Sequence, residues 1–130
     1  MKLLTKEIFR RLPPLHSSDR ENDPIVQVIF FAPWSGQTWY ATEFDGVDTF
    51  FGLVVKRPEM EWGYFRLKEL ESLKRPGFRG VPAIERDIWF DPAPISKLKI
   101  RGLRKFIGQP GNSQGGSGFG YWYRLKLPVR

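Results

Sequence analysis

The most regular hydrophobic pattern in the chain runs from residue 39 to residue 55 and predicts a β-hairpin. Two segments rich in aromatic and β-branched residues, 39–44 and 49–55, flank Asp45 and Gly46, a pair that is favoured in turns with positive φ. The returning segment is apolar at both odd and even positions, which is typical of a strand buried on both faces. We therefore expect the rest of the sheet to assemble around this hairpin.

The alternation of side chains along a strand predicts which residues share a face in the first half of the hairpin. Trp39, Ala41 and Glu43 should lie on one face of the sheet, and Tyr40, Thr42 and Phe44 should lie on the other. Glu43 should therefore share its face with Trp39 and not with Phe44.

Three further segments have the composition of strands. Residues 25–32 form an apolar run between Pro24 and Pro33, and residues 61–65 and 84–90 are shorter runs of the same type. Consecutive strands with short connections favour an antiparallel meander.

Two segments change to helical spacing, with apolar residues three or four positions apart. In residues 4–12, Thr5 is placed to cap the helix N-terminus, and in residues 66–73 leucine recurs at every third position. The predicted fold is therefore α+β. It consists of an antiparallel sheet of about five strands, a meander centred on the 39–55 hairpin, with an N-terminal helix and one or two short helices.

The chain divides by composition into a body and a tail. Its length of 130 residues predicts one domain, which we assign to residues 1–99. Residues 100–130 form a basic, glycine-rich C-terminal extension, in which residues 108–118 have the composition of a linker. Apolar and polar residues alternate again in residues 119–127, so this part is able to fold back as an edge strand.

The net charge of +7 is concentrated in the tail. No acidic residue follows Asp91, whereas eight of the 21 basic residues do, so the chain up to Asp91 holds 13 basic against 14 acidic residues. An unopposed basic segment on a near-neutral body favours an anionic partner such as nucleic acid. A tail that only increases solubility would show the same distribution.

Aromatic and basic residues are interleaved near the end of the tail. Basic side chains hold phosphates and aromatic rings stack on unpaired bases, so this interleaving favours single-stranded nucleic acid. The residues that we predict to bind it are Arg101, Arg104, Lys105, Tyr121, Trp122, Arg124 and Lys126. An added edge strand protected by cations would show the same alternation, and it would leave Trp122 facing outward.

The composition excludes several kinds of site. The chain has no cysteine, which rules out disulfides, thiolate metal sites and cysteine nucleophiles and agrees with a cytoplasmic location. No apolar run reaches the ~20 residues of a membrane span, and the first residues are too polar for a secretory signal. His16 is the one histidine, and no motif indicates a catalytic triad or a nucleotide-binding loop. We therefore expect no cofactor, no membrane partner and no enzymatic activity.

Acidic residues occur in the hairpin, at positions 43, 45 and 48, and again in the predicted strand at 84–90. Carboxylates converging from two strands could hold Mg²⁺ in a metal-dependent nuclease, which stays open as an alternative. A structural role is favoured because the turn explains positions 45 and 48, and because a basic residue separates the two acids of the later strand. The predicted members of this structural polar network are Glu43, Glu85, Arg86 and Asp87.

Several ordered segments resemble the family of small bacterial proteins catalogued as domain of unknown function 2958. The similar segments are K-L-L-T-K-E with R-L-P-P-L, W-Y-A-T-E-F-D-G-V-D-T-F-F-G-L-V, G-Y-F with L-K-E-L-E, and I-E-R-D-I-W-F-D-P with I-S-K-L, which together span roughly residues 1–99. Members tend to be encoded on plasmids, phages and integrating elements, so the resemblance implies an accessory protein of a mobile element. It implies no activity, cofactor or catalytic residue.

These observations predict a non-enzymatic protein that binds nucleic acid, single-stranded in preference, through its basic aromatic C-terminal segment. The alternative is a protein-binding inhibitor of a host defence or restriction complex. Simple mimicry of DNA is disfavoured, because it would need a strongly acidic face. The sequence favours neither DNA over RNA nor a particular oligomeric state.

Overall fold

The computed structural model describes residues 1–103, which form a five-stranded antiparallel sheet with short helices packed against it. The predicted α+β class is therefore confirmed. In chain order the elements are α1 (Lys6–Arg11), β1 (Ile25–Val26), β2 (Val28–Phe31), β3 (Thr38–Phe44), β4 (Thr49–Lys56), β5 (Glu59–Arg66), α2 (Leu67–Ser72), β6 (Glu85–Arg86) and β7 (Ala93–Pro94), followed by a 3-10 turn at Ile95–Lys97.

Helix α1 begins at the residue that the sequence predicts. The side chain of Thr5 accepts a hydrogen bond from the Ile8 N–H at 3.2 Å and so satisfies one of the free N–H groups of the first turn. Ile8 is buried and holds the helix against the sheet. None of the helices in the described part of the chain has the length and hydrophobicity that crossing a membrane requires.

The strand order of the main sheet is β5-β4-β3-β2-β6, and every neighbouring pair is antiparallel. Strands β2 to β5 follow one another as a meander, and β4 is almost wholly buried, as its apolar pattern indicates. Strand β6 joins the edge of β2, and a separate two-stranded sheet pairs β1 with β7.

The strand registers place the connections at two opposite ends of the sheet. Phe31 pairs with both Thr38 and Glu85, so the β2–β3 connection and the start of β6 lie together. The β4–β5 turn lies at the same end, because β4 finishes beside the start of β3. We call this end of the sheet the Trp34 end, after the tryptophan in the β2–β3 connection. The opposite end carries the β3–β4 turn, and we call it the Asp45 end.

The predicted hairpin is formed by β3 and β4, and its turn is held by one side chain. Oδ1 of Asp45 accepts hydrogen bonds from the three N–H groups of residues 47–49 at 2.8–3.0 Å. Partial burial raises the pKa of Asp45, but these hydrogen bonds outweigh it and hold the pKa below its ordinary value. Gly46 follows with a φ of 85°, in the region that favours glycine.

We expect Gly46→Val to lower the free energy of unfolding by about 1 kcal/mol or more, because a β-branched side chain strains a backbone with positive φ. Nothing lies within 4 Å of the position that a Cβ would take, so the cost reports on the backbone alone. Urea denaturation gives the difference. The control is Val47→Ala at the exposed next position, where a change within about 0.5 kcal/mol is expected. An unchanged midpoint for Gly46→Val would contradict the turn assignment.

A β-bulge in β3 reverses part of the predicted face assignment. The register with β4 shifts between Ala41 and Glu43, so Thr42 is an extra residue in β3. Phe44 consequently packs in the same core as Trp39 and Ala41. The prediction that Glu43 shares the face of Trp39 is wrong, because the bulge interrupts the two-residue period on which it depends.

Each face of the sheet is covered by its own hydrophobic core. The first core lies between the sheet and the two helices, and the second lies under residues 95–103. The first core consists of Leu3, Ile8, Val28, Phe30, Ala32, Trp39, Ala41, Phe44, Phe50, Phe65, Leu70, Ala83 and Ile84. The second core consists of Val26, Phe51, Leu53, Val55, Trp62, Ile95, Ile100 and Leu103. The packed body therefore extends to the last described residues.

Two predicted strands differ from the sequence pattern. The run 25–32 is divided between two sheets, because β1 pairs with β7 whereas β2 pairs with β3. The run 84–90 contributes only the short β6. The chain turns away after it because the Asp87 carboxylate accepts a hydrogen bond from the Trp89 N–H at 3.0 Å, the geometry of an Asx turn.

Candidate nucleic-acid interface

Of the seven residues predicted to bind nucleic acid, Arg101 belongs to the described part of the chain. Arg104, Lys105, Tyr121, Trp122, Arg124 and Lys126 lie outside the described residues. The side chain of Arg101 is exposed, and its carbonyl accepts a hydrogen bond from Nη1 of Arg57 at 2.8 Å. Because Arg57 belongs to the β4–β5 turn, the segment that leads into the tail lies at the Trp34 end of the sheet.

The segment that leads into the tail is fixed to the body. Ser96 donates both its N–H and its hydroxyl to the Asp23 carboxylate. Ile100 and Leu103 are buried in the second core, on either side of Arg101. Arg101 therefore has a defined position on the surface.

The surface around Arg101 carries more positive than negative charge. Lys99 lies two residues before it, and Arg57 of the β4–β5 turn contacts it; Lys56, the last residue of β4, precedes that turn, and both lysines are exposed. Glu59, the first residue of β5, pairs with Lys56 in the strand register. This end of the sheet can therefore attract phosphate groups.

A second basic surface lies at the same end. Residues 74–82, which we call the basic loop, connect α2 toward β6 and carry three exposed cations. The loop adjoins the β2–β3 connection, where Nε1 of Trp34 donates a hydrogen bond to the Ala83 carbonyl at 3.1 Å. From the sequence, this segment is only a Pro/Gly loop with three basic residues. Its position beside Trp34 depends on a contact between residues 49 positions apart, which no local pattern indicates.

Glu43 is fully buried and holds a neighbouring loop in place. Its carboxylate accepts hydrogen bonds from the N–H groups of His16 and Ser18, at 2.7 and 3.0 Å, and from the Ser18 hydroxyl. His16 has a left-handed backbone with a φ of 72°, and such a conformation brings nearby N–H groups together around an anion. The geometry gives Glu43 the task of fixing residues 16–18 against the sheet.

The other members of the predicted polar network contact different parts of the chain. Glu85 and Arg86 form β6, and the Arg86 guanidinium donates to the Lys2 carbonyl. Asp87 accepts the hydrogen bond from Trp89 that ends the strand. Arg86 thus contacts the N-terminal segment and Asp87 contacts the turn after β6, whereas the Glu43 carboxylate bonds to residues 16–18.

The remaining acidic residues of the hairpin and the histidine bond locally. Asp45 holds its own turn, and Oδ1 of Asp48 accepts a hydrogen bond from the Lys68 N–H at 2.9 Å. Nδ1 of His16 lies 2.9 Å from Oδ2 of Asp19 at the surface. Among residues 1–103, no group of three or more His, Asp or Glu side chains is placed to hold a metal ion.

Comparison with known proteins places most of the chain in one family. The model of the family described as "Protein of unknown function (DUF2958)" matches residues 3–99, about three quarters of the chain. The match includes the hairpin, both helices and β6 and ends before Arg101. No curated protein and no solved structure matches the chain.

Proposed function

The chain belongs to the DUF2958 family, and we propose that it is a non-enzymatic accessory protein of a bacterial mobile element, acting in the cytoplasm. Its proposed activity is to bind nucleic acid, single-stranded in preference, through the basic aromatic C-terminal segment. The observation that carries this proposal is the charge distribution, in which eight basic residues and no acidic residue follow Asp91.

The charge of the body strengthens the contrast with the tail. Residues 1–103 hold 16 basic and 14 acidic residues, so the body is close to neutral. The five remaining basic residues follow Leu103 without any acid to oppose them. Cations that neutralise phosphates release counterions, so we expect binding that weakens steeply as salt is added.

The aromatic residues of the tail support a single-stranded ligand. Tyr121, Trp122 and Tyr123 are consecutive and are followed by Arg124 and Lys126. An aromatic ring stacked on an unpaired base contributes about 1–3 kcal/mol, and a duplex offers no free base face for it. A strand held by cations and stacked on these rings would therefore be preferred over a duplex.

We expect Trp122→Ala to weaken binding of a single strand by ~1–3 kcal/mol and to affect a duplex less. If about five cations engage, the logarithm of the affinity should fall with the logarithm of the salt concentration with a slope of roughly −3 to −4. Fluorescence anisotropy with an oligothymidylate at two salt concentrations measures both quantities.

The matched control for this variant is Trp89→Ala, which removes a tryptophan from the body instead of from the tail. Trp89 is 87% exposed in the turn after β6, so its removal should leave both the fold and the affinity unchanged. Absent or salt-independent binding by the wild-type chain would contradict the proposed function, and equal effects of the two variants would contradict the role of Trp122.

The alternative function, a protein-binding inhibitor of a host defence complex, is favoured by the same exposed turn. Ile88 is 58% exposed beside Trp89, and tryptophan is one of the residue types enriched among the dominant contacts of protein interfaces. An inhibitor would bind no oligonucleotide in the anisotropy experiment. Its binding to a host protein, in extract treated with nuclease, would be lost in Trp89→Ala and kept in Trp122→Ala.

A further inference from the structure

We infer that the basic loop and Trp34 form a second contact for the single-stranded nucleic acid that the tail binds, an inference that rests on the proposed function. The loop supplies cations for the phosphates, and two exposed aromatic rings supply surfaces for unpaired bases. This contact belongs to the described body and is distinct from the C-terminal segment.

The basic loop concentrates positive charge on a short exposed segment. Lys74, Arg75 and Arg79 are all exposed, and no acidic residue lies between Glu71 and Glu85. A stretch of thirteen residues therefore carries three cations with nothing in the sequence to oppose them. This is the electrostatic arrangement that attracts a phosphate backbone.

Two aromatic rings accompany these cations. Phe78 at the tip of the basic loop is 50% exposed, and Trp34 in the β2–β3 connection is 45% exposed. The guanidinium carbon of Arg75 lies 4.0 Å from the centre of the Phe78 ring, so one cation and one ring form a unit. The hydrogen bond from Trp34 to the Ala83 carbonyl fixes the second ring beside the loop.

The backbone of the loop holds this surface in one arrangement. Lys74 and Pro82 form an antiparallel bridge, and the Arg75 N–H donates to the Val81 carbonyl at 2.9 Å. The Phe78 N–H donates to the Arg75 carbonyl at 3.0 Å inside this closed loop. Because the loop is internally bonded, the exposed ring is presented before any ligand binds, which lowers the entropic cost of binding.

The position of the loop connects it with the tail. The β2–β3 connection and the β4–β5 turn, which contacts Arg101, both lie at the Trp34 end of the sheet. Their centres are two strand spacings apart along the sheet, roughly 10 Å. The residues that flank the basic loop pack in the first core and those that flank Arg101 pack in the second, so a strand of nucleic acid that contacts both passes around this end of the sheet. A groove between Trp34 and Arg75 has Glu85 on its lining, so we expect phosphates on the side of Arg75 and Arg79.

The experiment uses the full-length chain and an oligothymidylate of about 20 nucleotides, longer than the roughly 4–16 nucleotides that one single-strand-binding module occupies. One variant, Phe78→Ala, removes the exposed ring. The other, Arg75→Ala with Arg79→Ala, removes two cations. The matched control is Arg66→Ala with Lys68→Ala, which removes two exposed cations from the Asp45 end. Circular dichroism verifies that each variant is folded.

We expect Phe78→Ala to weaken binding by about 5- to 150-fold. In the double arginine variant, the slope of log affinity against log salt concentration should become less negative by roughly 1.4, the value for two phosphates of a single strand. In the control pair this slope should stay near that of the wild type. If the wild type binds and the loop variants behave like the control, the inference is overturned and the proposed function stands. If the wild-type chain does not bind at all, both are overturned.

Discussion

Gly52→Ala is expected to lower the free energy of unfolding by about 3 kcal/mol or more, at the upper limit of what overpacking costs in a protein core. A Cβ on Gly52 would lie 1.9 Å from the Tyr40 carbonyl oxygen and 2.9 Å from the Ala41 Cα. Both are backbone atoms of the neighbouring strand, so no side chain can rotate to make room. The added methyl group can be accommodated only if β3 and β4 separate.

The bulge explains why these two strands approach so closely at this point. Ala41 pairs with Gly52, and after the extra residue Thr42 the next pair is Glu43 with Phe51. The Thr42 hydroxyl also donates a hydrogen bond to the Phe51 carbonyl at 3.1 Å. The bulged strand bends over its partner, and a residue without a side chain is needed beneath it.

The neighbouring strand supplies the control for this variant. Gly63 pairs with Gly52 across β4 and β5, and no atom lies within 4 Å of its Cβ position. Gly63→Ala should therefore change stability by less than about 1 kcal/mol. Thermal and urea denaturation measure the stability of both variants. Equal midpoints for the two would contradict the close backbone contact between β3 and β4 at Gly52.

The sequence predicted those parts of the fold that depend on local signals. The turn at Asp45 and Gly46, the cap at Thr5 and the burial of β4 on both faces all follow from residues a few positions apart, and the structure confirms them. Gly52 was also a usable signal, because an isolated glycine within a strand pattern indicates a bulge or a close backbone approach. It indicates an irregular pairing near Gly52 but does not identify Thr42 of the opposite strand as the extra residue.

The parts that the sequence did not predict depend on contacts between distant segments. Strand β7 has two residues and exists because β1 is available to pair with it. The end of β6 is decided by a side-chain hydrogen bond within an otherwise strand-like run. The proximity of Trp34 to the basic loop follows from the sheet order, which the pattern of apolar residues does not specify.

The sequence argument for the candidate site concerns its chemistry more than its position. The charges and the aromatic residues of the tail indicate a ligand that is anionic and has unpaired bases, and this argument needs no coordinates. The structure adds that Arg101 lies at the same end of the sheet as a second group of cations and rings. Two sets of residues far apart in sequence thereby become candidates for binding one ligand that passes around this end of the sheet.

Glu43→Ala is expected to lower the free energy of unfolding by about 3 kcal/mol or more, since hydrogen bonds to a charged group contribute ~1.5–3 kcal/mol each. The N–H groups of His16 and Ser18 would lose their acceptor, and the side chain of Ser18 would lose its partner. The left-handed backbone at His16 would also lose the interaction that compensates for it. We expect residues 16–18 to detach from the sheet.

Glu43→Gln separates charge from shape in the same site. Its amide keeps one oxygen as acceptor but turns an NH₂ group toward N–H donors, so it should be nearly as destabilising as alanine. Urea denaturation measures both variants against Glu61→Ala, an exposed acid on β5 for which a change within about 0.5 kcal/mol is expected. Combining Glu43→Ala with Ser18→Ala should cost less than the sum of the two single changes, because both remove the same side-chain hydrogen bond. Additive costs would mean that the carboxylate stabilises the fold through other contacts than those with residues 16–18.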